Sequence, residues 1–532
     1  MVSQEFDSAA RAHPVLLRVY QNLLDSVAEE MGTALERTGF SPNIKERRDY
    51  SCALFDANGE MLAHAAHIPV HLGSTPLAVR AALDAHSFAP GDAILLNDPY
   101  RGGTHLPDLT LVSAVFTPGL ATPVFYVANR AHHADIGGAV RGSMAIATEI
   151  YGEGLRIPPV LVRCGGIPVA DIEALLFANM RQPDERRGDL AAQLAALNVG
   201  EKRLLELLAT CDRAELLSYC GHLQAAAERH VRALLAELPD GEYHAVDFLE
   251  SDGVDPGPIE LRVCIHVVAD SCTVDFTGSA AQRRGNINAT PAIAMSAVFY
   301  VLRALAGSEI PANSGCLKPV RLVIPEGSIL NPLPPAAVAG GNVETSQRLV
   351  DLLFAALEPA LPDRVAAQSQ GTMNNITLGA AQSPHGAYSY YETLGGGAGG
   401  SPAGPGASGI HTHMTNTRNT PIEMLERALP IRVTAYSLRR ASGGAGLHRG
   451  GDGLIREYEL LAPAEASILS ECRTRAPRGI AGGEAGQVGK NILIRDGAQR
   501  ELPAKWQGEL VTGDRLRIET PGGAGWGRCI QN

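Results

Sequence analysis

Residues 97–138 constrain this chain more than any other stretch: NDPYRGGTHLPDLTLVSAVFTPGLATPVFYVANRAHHADIGG. Two apolar runs of strand-forming composition, 109–116 and 123–128, are separated by Thr117-Pro118-Gly119, an order that predicts a β-hairpin. Just outside the runs lie two polar clusters, His105-x-x-Asp108 and His132-His133-x-Asp135. A hairpin brings its two ends together, so these five side chains are expected to face one point in space. Two imidazoles and a carboxylate are a common ligand set for a first-row divalent metal. The competing reading is that the same residues cap turns and bind backbone groups.

The histidine distribution favours chemistry in this region. Seven of the 16 histidines (His64, His67, His71, His86, His105, His132 and His133) fall within 70 residues. The charged string just upstream, Lys45-Glu46-Arg47-Arg48-Asp49, reads either as a solvated face or as the source of an acid, base or extra ligand in Glu46 or Asp49. His67 and His71 flank Pro69, cannot share a regular helix face through it, and are pocket-wall candidates.

With 532 residues the chain exceeds what one core fills, which implies roughly two to four domains. The net charge of -12 and the absence of a basic run argue against nucleic-acid or anionic-membrane partners. No apolar stretch is long enough to span a bilayer, and the N-terminus lacks the basic and apolar regions of a signal peptide. Nine scattered cysteines without C-x-x-C read as reduced thiols, so a cytoplasmic location is expected.

Taken in order, the pattern predicts an α+β protein in several modules. Residues 1–170 form an N-terminal α/β region with the candidate site. It opens with a helix over 14–38 and a hairpin turning at Asp56-Ala57-Asn58-Gly59. Residues 171–238 are a helical segment with a break near Gln182-Pro183. Residues 239–393 are a second α/β region. There Gly340-Gly341-Asn342-Val343-Glu344-Thr345-Ser346 opens a helix, either as an anion-binding turn or as a plain cap. Residues 394–532 begin with LGGGAGGSPAGPGASG, expected to be a mobile linker or a lid, and continue as a β-rich region. His411-Thr412-His413 would share one side if strand-like. There is no phosphate-binding G-x-x-x-x-G-K-[ST] and no G-x-S-x-G nucleophile elbow, so any nucleotide chemistry must come from another fold or another chain.

Eight ordered motifs, NIKERRDYSCALFD, HIPVHLGS, NDPYRGGTHLPD, RAHHADIGG, DFTGS, GNINAT, GGNVETSQR and TPGGAGWG, resemble those of the hydantoinase B/oxoprolinase family nearly end to end. The sequence departs from it at Ala476-Pro477-Arg478-Gly479, where a Trp often replaces Arg478. The resemblance implies an ATP-dependent hydrolase of cyclic amides working with a hydantoinase A-like, actin-fold ATPase subunit in a heterotetramer or larger assembly. It also implies one divalent metal (Zn, Mn or Fe) on His105, Asp108 and His132, with ATP and its Mg used by the partner. The partner would phosphorylate the amide oxygen, and this chain would add water. Asp135, His133, Glu46 or Asp49 would serve as general base. The runner-up is a subunit of an ATP-dependent ketone carboxylase.

Overall fold

The computed structural model describes residues 13–65, 67–307, 310–384 and 386–529. Most of the segment behind the signal-peptide reading lies outside the described residues.

The first sheet has seven antiparallel strands: β1 Tyr50–Asp56, β2 Met61–His64, β3 Ala93–Leu96, β4 Asp108–Val115, β5 Phe125–His132, β6 Val160–Cys164 and β7 Ile167–Pro168. Their order is β2-β1-β5-β4-β3-β6-β7. The hairpin expected from the sequence is β4–β5, in a register that sets Val115 against Phe125 and Asp108 against His132. The return strand runs four residues beyond its apolar stretch. Its polar residues are held inside: Arg130 Nε donates to Thr110 Oγ1 at 2.8 Å, and Asn129 Nδ2 donates to the Gln193 carbonyl at 2.7 Å.

Both faces of this sheet are covered. On one, the helices Pro14–Thr38 and Pro183–Thr210 bury Leu54, Leu111 and Val127 with Met31 and Leu197. On the other, Phe55, Val112 and Ala128 join a larger core with the helices Ser74–Ala85, Pro291–Ala306 and Ser346–Leu357. An antiparallel sheet commonly keeps one face in water. Covering both explains why β1 and β4 read as nearly unbroken apolar runs and not as alternating ones.

Helices Ala170–Ala178, Pro183–Thr210 and Arg213–Ala236 fill the segment of helical pattern, with Gln182 in the left-handed region at φ 56° before Pro183. A second sheet takes Gly241–Leu249, Ile259–Val268, Ser271–Asp275 and Val320–Val323. Its long strand Ile259–Val268 alternates buried residues with more exposed ones, as a sheet with one wet face requires. Two further sheets, one containing Asn375–Ala380 and Tyr388–Glu392 and the other Gly453–Leu460 and Arg515–Glu519, enclose a third core with Ile376, Tyr390, Tyr458 and Ile518. The architecture is α+β, as the sequence predicts. No helix among the described residues is long and apolar enough to cross a membrane.

The glycine-rich stretch is neither a linker nor a lid. It packs side by side with three other glycine-rich segments, near residues 443–451, 479–486 and 522–525. Gly397 N–H donates to the Pro521 carbonyl at 3.0 Å, Gly451 to Ala398 at 2.8 Å, Gly523 to Gly451 at 2.9 Å and Gly525 to Glu484 at 2.8 Å. A Cβ on Gly399 would be driven into the Ala367 carbonyl oxygen, and one on Gly523 into that of Ala398. Only glycine lets backbones approach this closely, and cross-bonded backbones offset the entropy that glycine loses on ordering. Nor does the His411–His413 segment form a strand: His413 sits at φ 56° with Nε2 3.4 Å from Asp351, while His411 puts Nδ1 3.4 Å from Thr415 Oγ1, its imidazole pushed by burial down to about 3.

Candidate metal centre

The open end of the hairpin is the centre of the site. Register places Asp108 beside His132, and the turn before β4 brings His105 back over Asp108. Nδ1 of His105 lies 3.1 Å from Asp108 Oδ2, and Nδ1 of His132 lies 3.4 Å from Oδ1. The three residues are buried, and each offers a ligand atom within 4.8 Å of the others. Burial disfavours the charged carboxylate of Asp108. The nearby imidazoles of His105, His71 and His132 outweigh it, and hold the carboxyl well below its usual range. Burial pushes the His132 imidazole down, which favours the neutral ring that a metal needs.

Both imidazoles are held from behind. Ser143 Oγ lies 2.8 Å from His132 Nε2, and the Asn342 amide lies 3.4 Å from His105 Nε2. Nδ1 of His105 and Oδ1 of Asn342 have no hydrogen-bond partner, although both are buried. Turning that amide over would set its carbonyl against Nε2–H and leave the Nδ1 lone pair free towards Asp108. This is the usual support of a metal-ligating histidine. The donor set, its burial and the orphaned nitrogen therefore fit a divalent metal.

His71, a pocket-wall candidate from the sequence, lies on the turn Pro69–His71 and puts Nε2 3.2 Å from Asp108 Oδ2 and Nδ1 2.8 Å from Ser51 Oγ. Other neighbours were not legible as site residues. Thr104 donates its hydroxyl to Asp108 Oδ2 at 2.8 Å. Tyr391 stacks on His132 with ring centroids 4.6 Å apart, and the Arg47 guanidinium lies 4.6 Å from the Tyr391 ring centre. Asn342 comes from a π-helical turn, Gly341–Thr345, more than two hundred residues away in sequence. The motif GGNVETSQR marks this turn, but nothing local in it points to the hairpin.

Of the four candidates for general base, Asp49 is placed beside the cluster. Its carbonyl accepts the His132 N–H at 3.0 Å, and its carboxylate lies 3.5 Å from Arg47 Nη2. Glu46 ends the short helix Pro42–Lys45, and none of the described hydrogen bonds or ion pairs joins it to the cluster. His133 points away from His132, as strand alternation dictates. Its Nε2 meets Gln193 Oε1 at 2.9 Å, within the contact that binds the helix Pro183–Thr210 to the hairpin, and burial pushes its imidazole down to about 4. Asp135 is committed to the loop that follows. It accepts from Gly137 N–H at 2.9 Å, Arg181 N–H at 3.0 Å and Arg181 Nη1 at 3.0 Å. The expectation that all five hairpin-end residues face one point therefore fails for His133 and Asp135. Asp135→Ala should cost about 2–4 kcal/mol of stability through the stranded Arg181 and loop amides, while bound metal stays unchanged. A thermal melt and elemental analysis of the same sample check both halves.

The chain is similar to known proteins over nearly all of its length. The family model for hydantoinase B/oxoprolinase matches residues 13–529. The chain is 40% identical over 545 residues to 5-oxoprolinase 1 of Arabidopsis thaliana, covering 98% of this chain but 42% of that protein. It is 31% identical to a putative D-/L-hydantoinase component of Pseudomonas sp. (strain NS671), covering 97% of this chain and 90% of that one. The ATP-dependent caprolactamase structure from Pseudomonas jessenii superposes with a TM-score of 0.91 at 31% identity, over 98% of this chain and 92% of that chain. With a buried histidine–aspartate cluster at the hairpin end and a match that runs almost end to end, the chain belongs to the hydantoinase B/oxoprolinase family.

Proposed function

We propose that this chain is the hydrolytic part of an ATP-dependent cyclic amide hydrolase. It receives a cyclic amide whose oxygen has been phosphorylated by an actin-fold ATPase, and it adds water to the ring carbon. The observation that carries this reading is the convergence of His105, Asp108 and His132 in a buried site within a chain of this family. The lengths of the relatives support the division of labour. The chain spans less than half of a 5-oxoprolinase but nearly all of the D-/L-hydantoinase component. The ATPase would then be a separate protein or a further part of the polypeptide.

His105, Asp108 and His132 would hold the divalent ion. When bound, such an ion supplies a Lewis acid and lowers the pKa of water. Arg47 and Tyr391 fix the ring plane of His132 from the far side. Asp49, beside His132, would take the proton of the attacking water.

The test is to assay the chain alone and together with its ATPase, using 5-oxoproline, hydantoin and caprolactam with and without ATP. Ring opening is expected only with both proteins and ATP. Ring opening by the lone chain without ATP would overturn the reading, and bicarbonate-dependent ATP use on ketones with no amide hydrolysis would replace it with the carboxylase alternative. In the active complex, Asp49→Asn should lower kcat by roughly 10²–10⁴-fold while leaving bound metal in place.

A further inference from the structure

A second carboxyl group stands close to this centre with no structural duty for one of its oxygens. Glu344 lies on the same π-helical turn as Asn342, whose amide touches His105. Such turns inside helices occur frequently at functional sites. The Glu344 side chain is fully buried. Its Oε1 accepts from Met373 N–H at 3.1 Å and from Asn375 Nδ2 at 2.7 Å, while Oε2 has no partner. Asn375 in turn accepts the Tyr391 hydroxyl at 2.8 Å, and Tyr391 is the ring stacked on His132. The route Glu344–Asn375–Tyr391–His132, together with the turn that Glu344 shares with Asn342, therefore ties this acid to the candidate ligands.

The chemistry under Proposed function lacks one group. When water adds to the phosphorylated ring carbon, that carbon carries a hydroxyl, the phosphate oxygen and the ring N–H. If the bond to the phosphate oxygen breaks, the cyclic amide returns and ATP has been spent without product. If the C–N bond breaks, its electron pair goes to nitrogen, which must take a proton to leave as an amine. The hydroxyl proton is released as the carbonyl forms, and the resulting acyl phosphate reacts with a second water to give carboxylate and phosphate. An acid directed at the nitrogen decides between the two outcomes.

Resting on that reading, we propose that Glu344 is this acid: Oε2–H protonates the ring nitrogen as the C–N bond breaks, and the carboxylate regains a proton from the adduct hydroxyl. The surroundings keep it in the acid form near neutrality. Burial first, then the like charge of Glu471, push its carboxyl up to about 7 against the opposing pull of the Thr372 hydroxyl, Lys505 and the Met373 N–H. Glu471 itself is paired with Lys505, and Arg473 and Tyr391 are the other ionisable groups facing this carboxyl.

Glu344→Gln keeps the acceptor for Met373 and Asn375 but carries no acidic proton. In the complex with the ATPase, it should still bind metal and still consume ATP within about threefold of wild type. Product formed per ATP should fall roughly a hundredfold. Glu344→Asp, which retains an acid, should restore part of the coupling. Wild-type ring opening should decline as pH rises through about 7, the direction expected when the protonated form is the active one. A variant that opens rings with wild-type coupling would overturn the proposal, as would one in which ATP use and product fall together. A wild-type complex that spends no ATP on any of the three amides would instead sink the hydrolase reading. Independently of activity, difference infrared spectra of the lone chain should show a protonated carboxyl band near pH 6 that is missing in Glu344→Gln. Its absence from the wild type overturns the assignment.

Discussion

His105→Ala should yield a folded chain that has lost almost all of its divalent metal. The side chain sits with its Nδ1 facing Asp108 at 3.1 Å, and no hydrogen bond satisfies that nitrogen. Under the proposed reading its contribution would be to the ion and not to the scaffold. Removing it leaves one imidazole and one carboxylate of the cluster, too few to hold a metal against solvent, and affinity should fall by more than the 10–100-fold typical of losing a mere outer-shell partner. The cost to folding is that of a small buried void, roughly 1–3 kcal/mol, because β4 and β5 remain paired along their whole length without it. Elemental analysis and a thermal melt on the same preparation give both answers. Metal retained at the wild-type level would remove His105 from the centre.

The largest effect on folding is expected at a glycine far from the site. Gly523→Ala would push a methyl group into the Ala398 carbonyl oxygen, and the obstacle is backbone, so no side chain can turn aside to make room. Gly523 also donates to Gly451, and Gly451 donates to Ala398, so a shift of one segment disturbs the other two. A cost above about 4–5 kcal/mol follows, in the range reached when a native backbone arrangement becomes impossible. The variant should be recovered mainly as insoluble protein, or should melt far below wild type. Gly119→Ala is the control. That residue has nothing within 4 Å of an added methyl group and lies in an exposed turn, although its φ of 85° makes some local strain unavoidable.

These two residues also mark what could be read from sequence. The hairpin was legible because its evidence is local: two β-rich runs, one turn and polar residues at fixed offsets. Pairing then placed Asp108 against His132 without further information. The same local pattern misled for His133 and Asp135. Adjacent residues on a strand point to opposite faces, and a residue beyond the strand answers to the loop it enters, here through Arg181. Asn342, Glu344 and Tyr391 were out of reach because their place depends on how distant elements dock. The glycine-rich segment failed for a related reason. Read alone, glycine density means conformational freedom. Its order arises only when four separated segments meet, and that complementarity has no signature within any one of them.

The hairpin has two ends with opposite characters. Its tip, around residues 118–122, is exposed, while its other end is wholly enclosed. Eight paired positions separate them, about 25 Å at the rise of an antiparallel strand. This makes the tip a natural attachment point. A fluorophore, an affinity tag or a short inserted peptide placed there would ride on the same two strands that carry Asp108 and His132 yet remain outside their surroundings. It would report on the integrity of the element that builds the site without competing for the space in which the chemistry takes place.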